Sequence, residues 1–230
     1  MNRRSYLRTA GLAGAASLAG CLGGFGDDDP NVVLGAPDRD ADVTSEDLPY
    51  PGWGQQVPDV ALPDPLAGES VALRDVERPQ VTTFFFSNCM TVCPAIVGLV
   101  RELQIHSVTE GYADQVDFYP VTFDPARDDA EQLRSYADRI NVDMDAGNWH
   151  FLRPETEDRA KAVVQEQFGV FFEKDPMDDG GYMFTHLGLI LLVNGDGYVE
   201  RAYRARLQQG EGLTVNRQDV LDDLRRVRSA

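Results

Sequence analysis

Gln80-Val-Thr-Thr-Phe-Phe-Phe-Ser-Asn-Cys-Met-Thr-Val-Cys-Pro94 joins a continuous apolar and β-branched run to two cysteines and a proline. Such a run, over residues 80–86, predicts a strand that is buried on both faces. Beyond the proline, apolar residues recur at helical spacing, which predicts an amphipathic helix over residues 94–107 with Pro94 near its first turn. The stretch therefore indicates a strand that leads into a helix, with Cys89 and Cys93 at the junction.

The spacing of these cysteines limits their chemistry. Residues at i and i+4 on a helical turn project from one face, with Cβ atoms about 6 Å apart. Two such thiols can hold one soft metal ion, or close into a disulfide after a small adjustment. Reactive groups of open α/β sheets gather at the carboxyl ends of strands, and a helix N-terminus favours thiolate over thiol. The pair is therefore a candidate metal or redox site.

Strand and helix patterns alternate along the rest of the chain. The predicted elements are an N-terminal β-hairpin within residues 57–75, a buried strand at 116–123, helices around 133–140 and 160–168, the second ended by Gly169, two strands at 187–193 and 198–205 joined by Asn194-Gly-Asp-Gly197, and a closing helix from about Asn216. This order predicts an α/β fold with a mostly parallel central sheet flanked by helices and with antiparallel edges.

The N-terminus has the pattern of an export signal. Arg3-Arg4 followed by a small-residue, mildly apolar stretch resembles a twin-arginine (Tat) signal, and Leu18-Ala-Gly-Cys21 resembles a lipobox. The sequence therefore predicts three units along the chain: a Tat-type lipoprotein signal peptide at 1–20, a lipid-anchored flexible acidic tether at 21–56, and one folded domain at 57–230. By this resemblance Cys21 becomes the lipidated N-terminus, and the protein is exported and anchored to the outer face of the cytoplasmic membrane.

The charge balance is strongly acidic, with a formal net charge of −17 at pH 7. Such a surface repels nucleic acid, so a nucleic-acid partner is not expected. Lys161 and Lys174 are the two lysines of the sequence. Acid-rich, lysine-poor surfaces resemble those of halophilic proteins, where high ionic strength screens self-repulsion. An acidic docking face for one basic partner is the alternative, but the acids are spread along the whole chain.

Three segments resemble the Sco/SenC family. They are Phe86-Ser-Asn-Cys-Met-Thr-Val-Cys-Pro94, Val121-Thr-Phe-Asp-Pro-Ala-Arg-Asp128, and a distal His186 interpreted as opening the strand that leads into Asn194-Gly-Asp-Gly197. The family consists of thioredoxin-fold copper proteins that aid assembly of the binuclear copper centre of cytochrome c oxidase. The resemblance runs from about Val57 to the C-terminus, so it implies a thioredoxin-like fold for the whole predicted domain.

The resemblance also implies roles for individual residues. Cys89 and Cys93 match the thiolate ligands, and His186 matches the imidazole ligand, of Cu(I) and Cu(II). Asp124 matches the acid of the Asp-Pro-x-Arg-Asp motif, where a carboxylate could orient a ligand from outside the metal's own ligands or hold local charge balance. Helix capping by Asp124 or Asp128 is the alternative. The implied partner is the copper-bearing subunit of the oxidase. The other two histidines are interpreted as structural or surface residues, and Met90 as a packing residue.

Two functions remain open from the residues. A metallochaperone would deliver copper, whereas a thiol–disulfide oxidoreductase would reduce the cysteines of the oxidase copper site, with Cys89 and Cys93 as its catalytic redox pair. The spacer of three residues departs from the Cys-x-x-Cys of thioredoxin-like redox motifs. Thioredoxins also carry a proline where this chain reads Phe184-Thr-His-Leu187. Both differences favour copper binding over enzyme activity. A peroxiredoxin-like peroxidase fits less well, because its Pro-x3-Thr-x2-Cys setting is missing.

Overall fold

The central sheet grows from the strand that precedes the cysteines. The computed structural model describes residues 31–38, 43–178, 180–208, 210 and 212–230. The predicted signal peptide and the lipid anchor at Cys21 lie outside these residues. The strands are β1 (Ala61–Asp64), β2 (Glu69–Ala72), β3 (Gln80–Phe85), β4 (Asp117–Thr122), β5 (Phe172–Pro176), β6 (Tyr182–His186), β7 (Leu189–Val193), β8 (Val199–Arg204), β9 (Leu207–Gln208) and β10 (Gly212–Leu213).

The helices enclose this sheet and have the amphipathic character that the sequence predicts. They are α1 (Cys93–Thr109), α2 (Ala130–Ile140), α3 (Glu157–Ala160), which continues as a π-helix over Lys161–Gln167, and α4 (Arg217–Arg228). The apolar positions of α1 are buried, and Pro94 lies in its first turn, as predicted. Gly169 follows the π-helix with a φ of +63°, so it does end this helical segment. No helix of the described residues has the length and apolar character needed to cross a membrane.

The central sheet is mixed, which corrects the prediction of a mostly parallel sheet. Its order is β4-β3-β7-β8, with β3 parallel to β4 but antiparallel to β7, and β7 antiparallel to β8. Parallel bridges from Phe118 to Trp149 and from Val121 to Leu152 extend it beyond β4. The antiparallel pairs are not confined to the edges, because the β7–β8 hairpin docks directly on β3. All residues of β3, β4 and β7 are buried, as predicted for strands covered on both faces.

Among the described residues, three antiparallel pairs stand outside this sheet: β1–β2, β5–β6 and the short β9–β10. The predicted N-terminal hairpin is formed by β1 and β2, which pair antiparallel. The pair β5–β6 has no counterpart in the sequence prediction. It changes the place of His186, which was predicted to open the strand at 187–193. His186 instead ends β6, and the next strand begins only at Leu189. The histidine therefore belongs to a hairpin that folds beside the central sheet.

The folded unit begins earlier in the chain than the predicted boundary at residue 57. Leu34 is 1% exposed, and the buried carboxylate of Glu200 accepts hydrogen bonds from the backbone N–H groups of Val33 and Leu34, each at 2.8 Å. Residues 54–57 also bond to the outer edge of β8, including Val199 N–H to the Gln55 carbonyl at 2.8 Å. The prediction of a flexible tether is therefore wrong for Val33 and Leu34, which bond to a buried acid, and for residues 54–56, which cover a strand edge.

Gly169 gives a direct test of this N-terminal packing. A Cβ at Gly169 would lie 1.4 Å from the carbonyl oxygen of Pro49, whereas a Cβ at Gly68, also at positive φ, meets open space. Gly68→Ala should therefore cost only the left-handed backbone strain, about 1 kcal/mol. Gly169→Ala should cost several times more, because the 43–50 segment must also move away. Urea unfolding of both variants measures the difference, and equal losses would contradict the packing.

Candidate metal site

Three elements bring the predicted ligands together. Cys89 lies in the loop after β3, Cys93 is the first residue of α1, and His186 is the last residue of β6. The two Sγ atoms and a ring nitrogen of His186 lie within 4.8 Å of one another. Two ligands of one transition-metal ion, with bonds of about 2.0–2.3 Å, are at most about 4.6 Å apart. The group is thus close to the size that a single ion requires.

The geometry orients the donor atoms inward. Cys93 Sγ lies 3.0 Å from His186 Nε2. On the other side of the ring, Nδ1 lies 3.2 Å from the carbonyl oxygen of Leu187. Because a carbonyl oxygen only accepts, Nδ1 is assigned the proton, and Nε2 keeps a lone pair directed at the thiols. A backbone bond of this kind fixes both the tautomer and the ring orientation of a metal-binding histidine.

An aromatic wall supports the histidine. The His186 ring lies 5.2 Å from that of Phe123 and 6.1 Å from that of Phe86, measured between centroids. Phe184 of β6 contacts both phenylalanines, and Phe172 of β5 stacks on Phe123 at 4.8 Å. These contacts dock the β5–β6 hairpin against the end of the central sheet. Apolar packing therefore places the imidazole, while the strand–helix junction places the two thiols.

The two thiols differ in exposure and in electrostatics. Cys93 is fully buried, and Cys89 is 8% exposed. The hydrogen bond from Cys93, aided by His186 and Thr91, holds the pKa of Cys89 well below its usual value. Burial, and then the neighbouring Cys89, raise the pKa of Cys93. Of the two thiols in the metal-free, reduced pair, Cys89 is therefore the one that ionises more readily.

Exposed residues surround Cys89 on the solvent side. Asn88, Met90 and Thr91 are all exposed, and the side chain of Met90 is 76% accessible. The interpretation of Met90 as a packing residue is therefore wrong. Its position in a short loop between two ligands keeps it out of the core. Cys89 is itself buried, but the exposed residues beside it place it closer to solvent than Cys93.

Asp124 lies beside the site but bonds to none of the three ligands. Its carboxylate, 1% exposed, accepts hydrogen bonds from Arg127 Nε at 2.5 Å and from the Tyr182 hydroxyl at 2.8 Å. Arg127 also donates to the Tyr182 carbonyl oxygen, and its guanidinium lies 3.7 Å from the centroid of the Tyr182 ring. Asp124 thus ties β6 to the turn after β4. The capping alternative is wrong for Asp124 and for Asp128, because Asp129 caps α2 by accepting from Gln132 N–H.

The other two histidines have structural bonds elsewhere, as predicted. His106 Nδ1 lies 2.7 Å from the Tyr112 hydroxyl, and His150 Nδ1 lies 3.0 Å from a carboxylate oxygen of Asp64. The local sequence does not indicate the aromatic wall around His186 or the hydrogen bonds of Ser87.

Fold and site together define a thioredoxin-like α/β protein with a two-cysteine, one-histidine metal-type site. Solved structures of the same fold include a SCO1/SenC family lipoprotein from Bacillus anthracis str. Ames, with a TM-score of 0.60 and 21% identity, over 76% of this chain and 95% of that one. Another is Arabidopsis thaliana ScoI with copper bound, with a TM-score of 0.57 and 17% identity, over 76% of this chain and 99% of that one.

Sequence comparison gives the family. The model of the SCO1/SenC family matches residues 67–218, and the SCO1 protein homolog of Bacillus subtilis (strain 168) is 26% identical over 139 residues, which are 59% of this chain and 67% of that protein. Because the match covers more than half of the sequence, the chain belongs to the SCO1/SenC family. All three predicted ligands fall within the matched residues.

The difference in pKa and burial between the two thiols predicts that Cys89 is alkylated faster than Cys93. Iodoacetamide should label Cys89 well before Cys93 in the reduced, metal-free protein, because the thiolate is the nucleophile and Cys93 is buried. The rate at Cys89 should be nearly constant between about pH 6 and 8, where an ordinary thiol reacts about tenfold faster per pH unit. Cys93→Ala should restore that dependence, because it removes the largest cause of the low pKa. Peptide mass spectrometry gives both rates, and similar labelling of both cysteines would contradict the assignment.

Proposed function

We propose that this chain is a copper metallochaperone that binds Cu(I) or Cu(II) through Cys89, Cys93 and His186. The observation that carries the proposal is the convergence of their three donor atoms within 4.8 Å. Two thiolates and an imidazole form a soft donor set that suits Cu(I), and the nitrogen ligand also suits Cu(II). Copper here would be cargo, and the exposed residues beside Cys89 would let an acceptor approach for ligand exchange.

Relatives support the choice of metal. A putative copper-binding protein of Stutzerimonas stutzeri is 27% identical over 152 residues, covering 64% of this chain and 68% of that protein. Bradyrhizobium japonicum ScoI has been solved with copper bound, with a TM-score of 0.54 and 21% identity, over 73% of this chain and 96% of that one. The proposed recipient is the copper-bearing subunit of cytochrome c oxidase, whose binuclear centre this chain would help to assemble.

One observation also favours a second function, that of a thiol–disulfide oxidoreductase. Cys89, whose pKa is well below its usual value, lies beside Cys93, whose pKa is raised, so one thiol of the pair ionises far more readily than the other. Its thiolate could attack a disulfide of the oxidase subunit and form a mixed disulfide. Cys93, after passing its proton to the thiolate released in that first exchange, would attack the Cys89 sulfur and displace the target's second thiolate, leaving the target reduced and Cys89–Cys93 oxidised. A Sco structure with a TM-score of 0.60 and 21% identity is described as containing a disulfide switch.

A copper titration separates the two functions. The reduced protein should bind about one Cu(I), and His186→Ala should weaken binding at least about tenfold. Cys89→Ser and Cys93→Ser should weaken it further, because each removes a thiolate. His106→Ala is the matched control, since His106 bonds only to Tyr112 among the contacts described. Equal affinity in wild type and His186→Ala would contradict the ligand set. No copper binding, together with reduction of a disulfide-bearing oxidase fragment, would favour the oxidoreductase.

We also propose that the protein is exported through its Arg3-Arg4 signal and anchored by a lipid on Cys21 to the outer face of the cytoplasmic membrane. Leu34 is buried in the folded unit, and thirteen positions along the chain separate it from Cys21. A fully extended chain of that length spans at most about 45 Å, which would keep the folded unit near the membrane.

The anchor can be tested by fractionation. Cys21→Ser should move the protein from the membrane to the soluble fraction, because the lipid is lost. Cys89→Ser changes a cysteine of the folded unit and should leave the protein in the membrane fraction. Immunoblots of the separated fractions give the result, and an unchanged distribution of Cys21→Ser would contradict the proposal.

A further inference from the structure

Ser87 lies two residues before Cys89 and has every polar group bonded. Its N–H donates to the Asp128 carboxylate at 3.1 Å, and its hydroxyl donates to the same carboxylate at 2.5 Å. The hydroxyl oxygen accepts from Gln132 Nε2 at 2.8 Å, and the carbonyl oxygen accepts from Arg139 at 3.0 Å. Ser87 is 3% exposed, so water does not replace these partners. The chain is therefore fixed just before it enters the metal site.

Asp128 is the centre of this network. It is fully buried, and it accepts a further hydrogen bond from the hydroxyl of Thr122, at the end of β4. A buried carboxylate is costly unless all its acceptor positions are used. The hydrogen bonds of Asp128 link the segment after β3, the last residue of β4 and the segment that leads into α2. None of its described hydrogen bonds reaches Cys89, Cys93 or His186, so it can act on the site only through the residues that it holds in place.

The clamp on Ser87 comes from one surface of α2. Gln132 and Arg139 are seven positions apart, which places them on the same helical face. The turn after Ser87 is closed by a hydrogen bond from Cys89 N–H to the Phe86 carbonyl oxygen at 3.2 Å. With Ser87 held and this turn closed, the position of Cys89 relative to α1 is determined.

We propose that Asp128 is a positioning residue of the metal site, which acts through Ser87 to hold Cys89 at bonding distance from a metal ion shared with Cys93 and His186. The inference rests on the proposed copper binding. The fold has other supports at this place, because β3 and β4 pair along six residues and α2 buries Leu133 and Tyr136. Loss of the hydrogen bonds of Asp128 should therefore loosen the loop that carries Cys89 more than it destabilises the central sheet.

Two variants test the network, with a matched control. Ser87→Ala removes the hydroxyl bonds, and Asp128→Asn removes the charge and one acceptor. Thr83→Val is the control, because Thr83 is also a buried hydroxyl near the end of β3, donating to the Leu189 carbonyl oxygen at 2.8 Å. Hydrogen exchange of the metal-free, reduced protein measures opening of residues 87–92, and competition with a Cu(I) chelator measures affinity.

Ser87→Ala and Asp128→Asn should speed exchange in residues 87–92 and weaken copper binding about tenfold, as is usual when a partner that orients a ligand is lost. Thr83→Val should lower the thermal midpoint while leaving loop exchange and affinity at wild-type values. If Asp128→Asn does not fold, Ser87→Ala decides. Wild-type loop exchange and affinity in Ser87→Ala, or the same losses in Thr83→Val, would overturn the positioning role.

The two measurements also separate this inference from the proposed function. If wild type bound no copper, the proposed function would fail, while hydrogen exchange would still show whether the network fixes the loop. If wild type bound copper and the variants exchanged faster without losing affinity, copper binding would stand and the positioning role would fail.

Discussion

Complete burial of β3 is the constraint on which the rest of the structure depends. Neighbouring strands pair with it on both sides, and none of its residues reaches solvent. A strand so enclosed has to leave the sheet at its carboxyl end, and the polar groups of the turn there need partners. Ser87 lies in that turn. Its hydrogen-bond partners, Asp128, Gln132 and Arg139, belong to the segment after β4 and to α2. The cysteines follow at once, so burial of the strand places the thiols at the edge where chemistry is possible.

The imidazole reaches the same edge by a different route. An isolated two-stranded hairpin is marginal in water, and β5–β6 does not join the central sheet. Its stability comes from the phenylalanine contacts and from Asp124, which binds Arg127 and Tyr182. The site is thus assembled from a rigid half and a docked half. Asp124 supports the docked half and Asp128 the rigid half, which gives the two acids of one motif separate tasks.

Local sequence patterns predict only the rigid half of the site, which consists of β3, α1 and the junction between them. An unbroken apolar run, a helical repeat and two cysteines predict β3, α1 and their junction. The hairpin β5–β6 is hidden because β5 reads Phe-Glu-Lys-Asp-Pro and is largely exposed, so it lacks the alternation of a half-buried strand. His186 was found only through resemblance. The docking of Leu34 depends on the buried acid Glu200 far along the chain, which no local pattern shows. Salt adaptation of the acidic surface stays a prediction.

The proton of the Cys93 thiol links the pKa values of the two cysteines to the proposed binding of copper. Burial raises the pKa of Cys93, so this thiol holds its proton more strongly than Cys89 does, and its Sγ lies 3.0 Å from His186 Nε2. Copper binding to both sulfurs has to displace that proton, since the thiolate is the ligand form. Cys89, which ionises more readily and lies nearer solvent, is the natural first ligand. Cys93 and His186 would hold such an ion from the buried side, and the loop of exposed residues around Cys89 would be its route in and out.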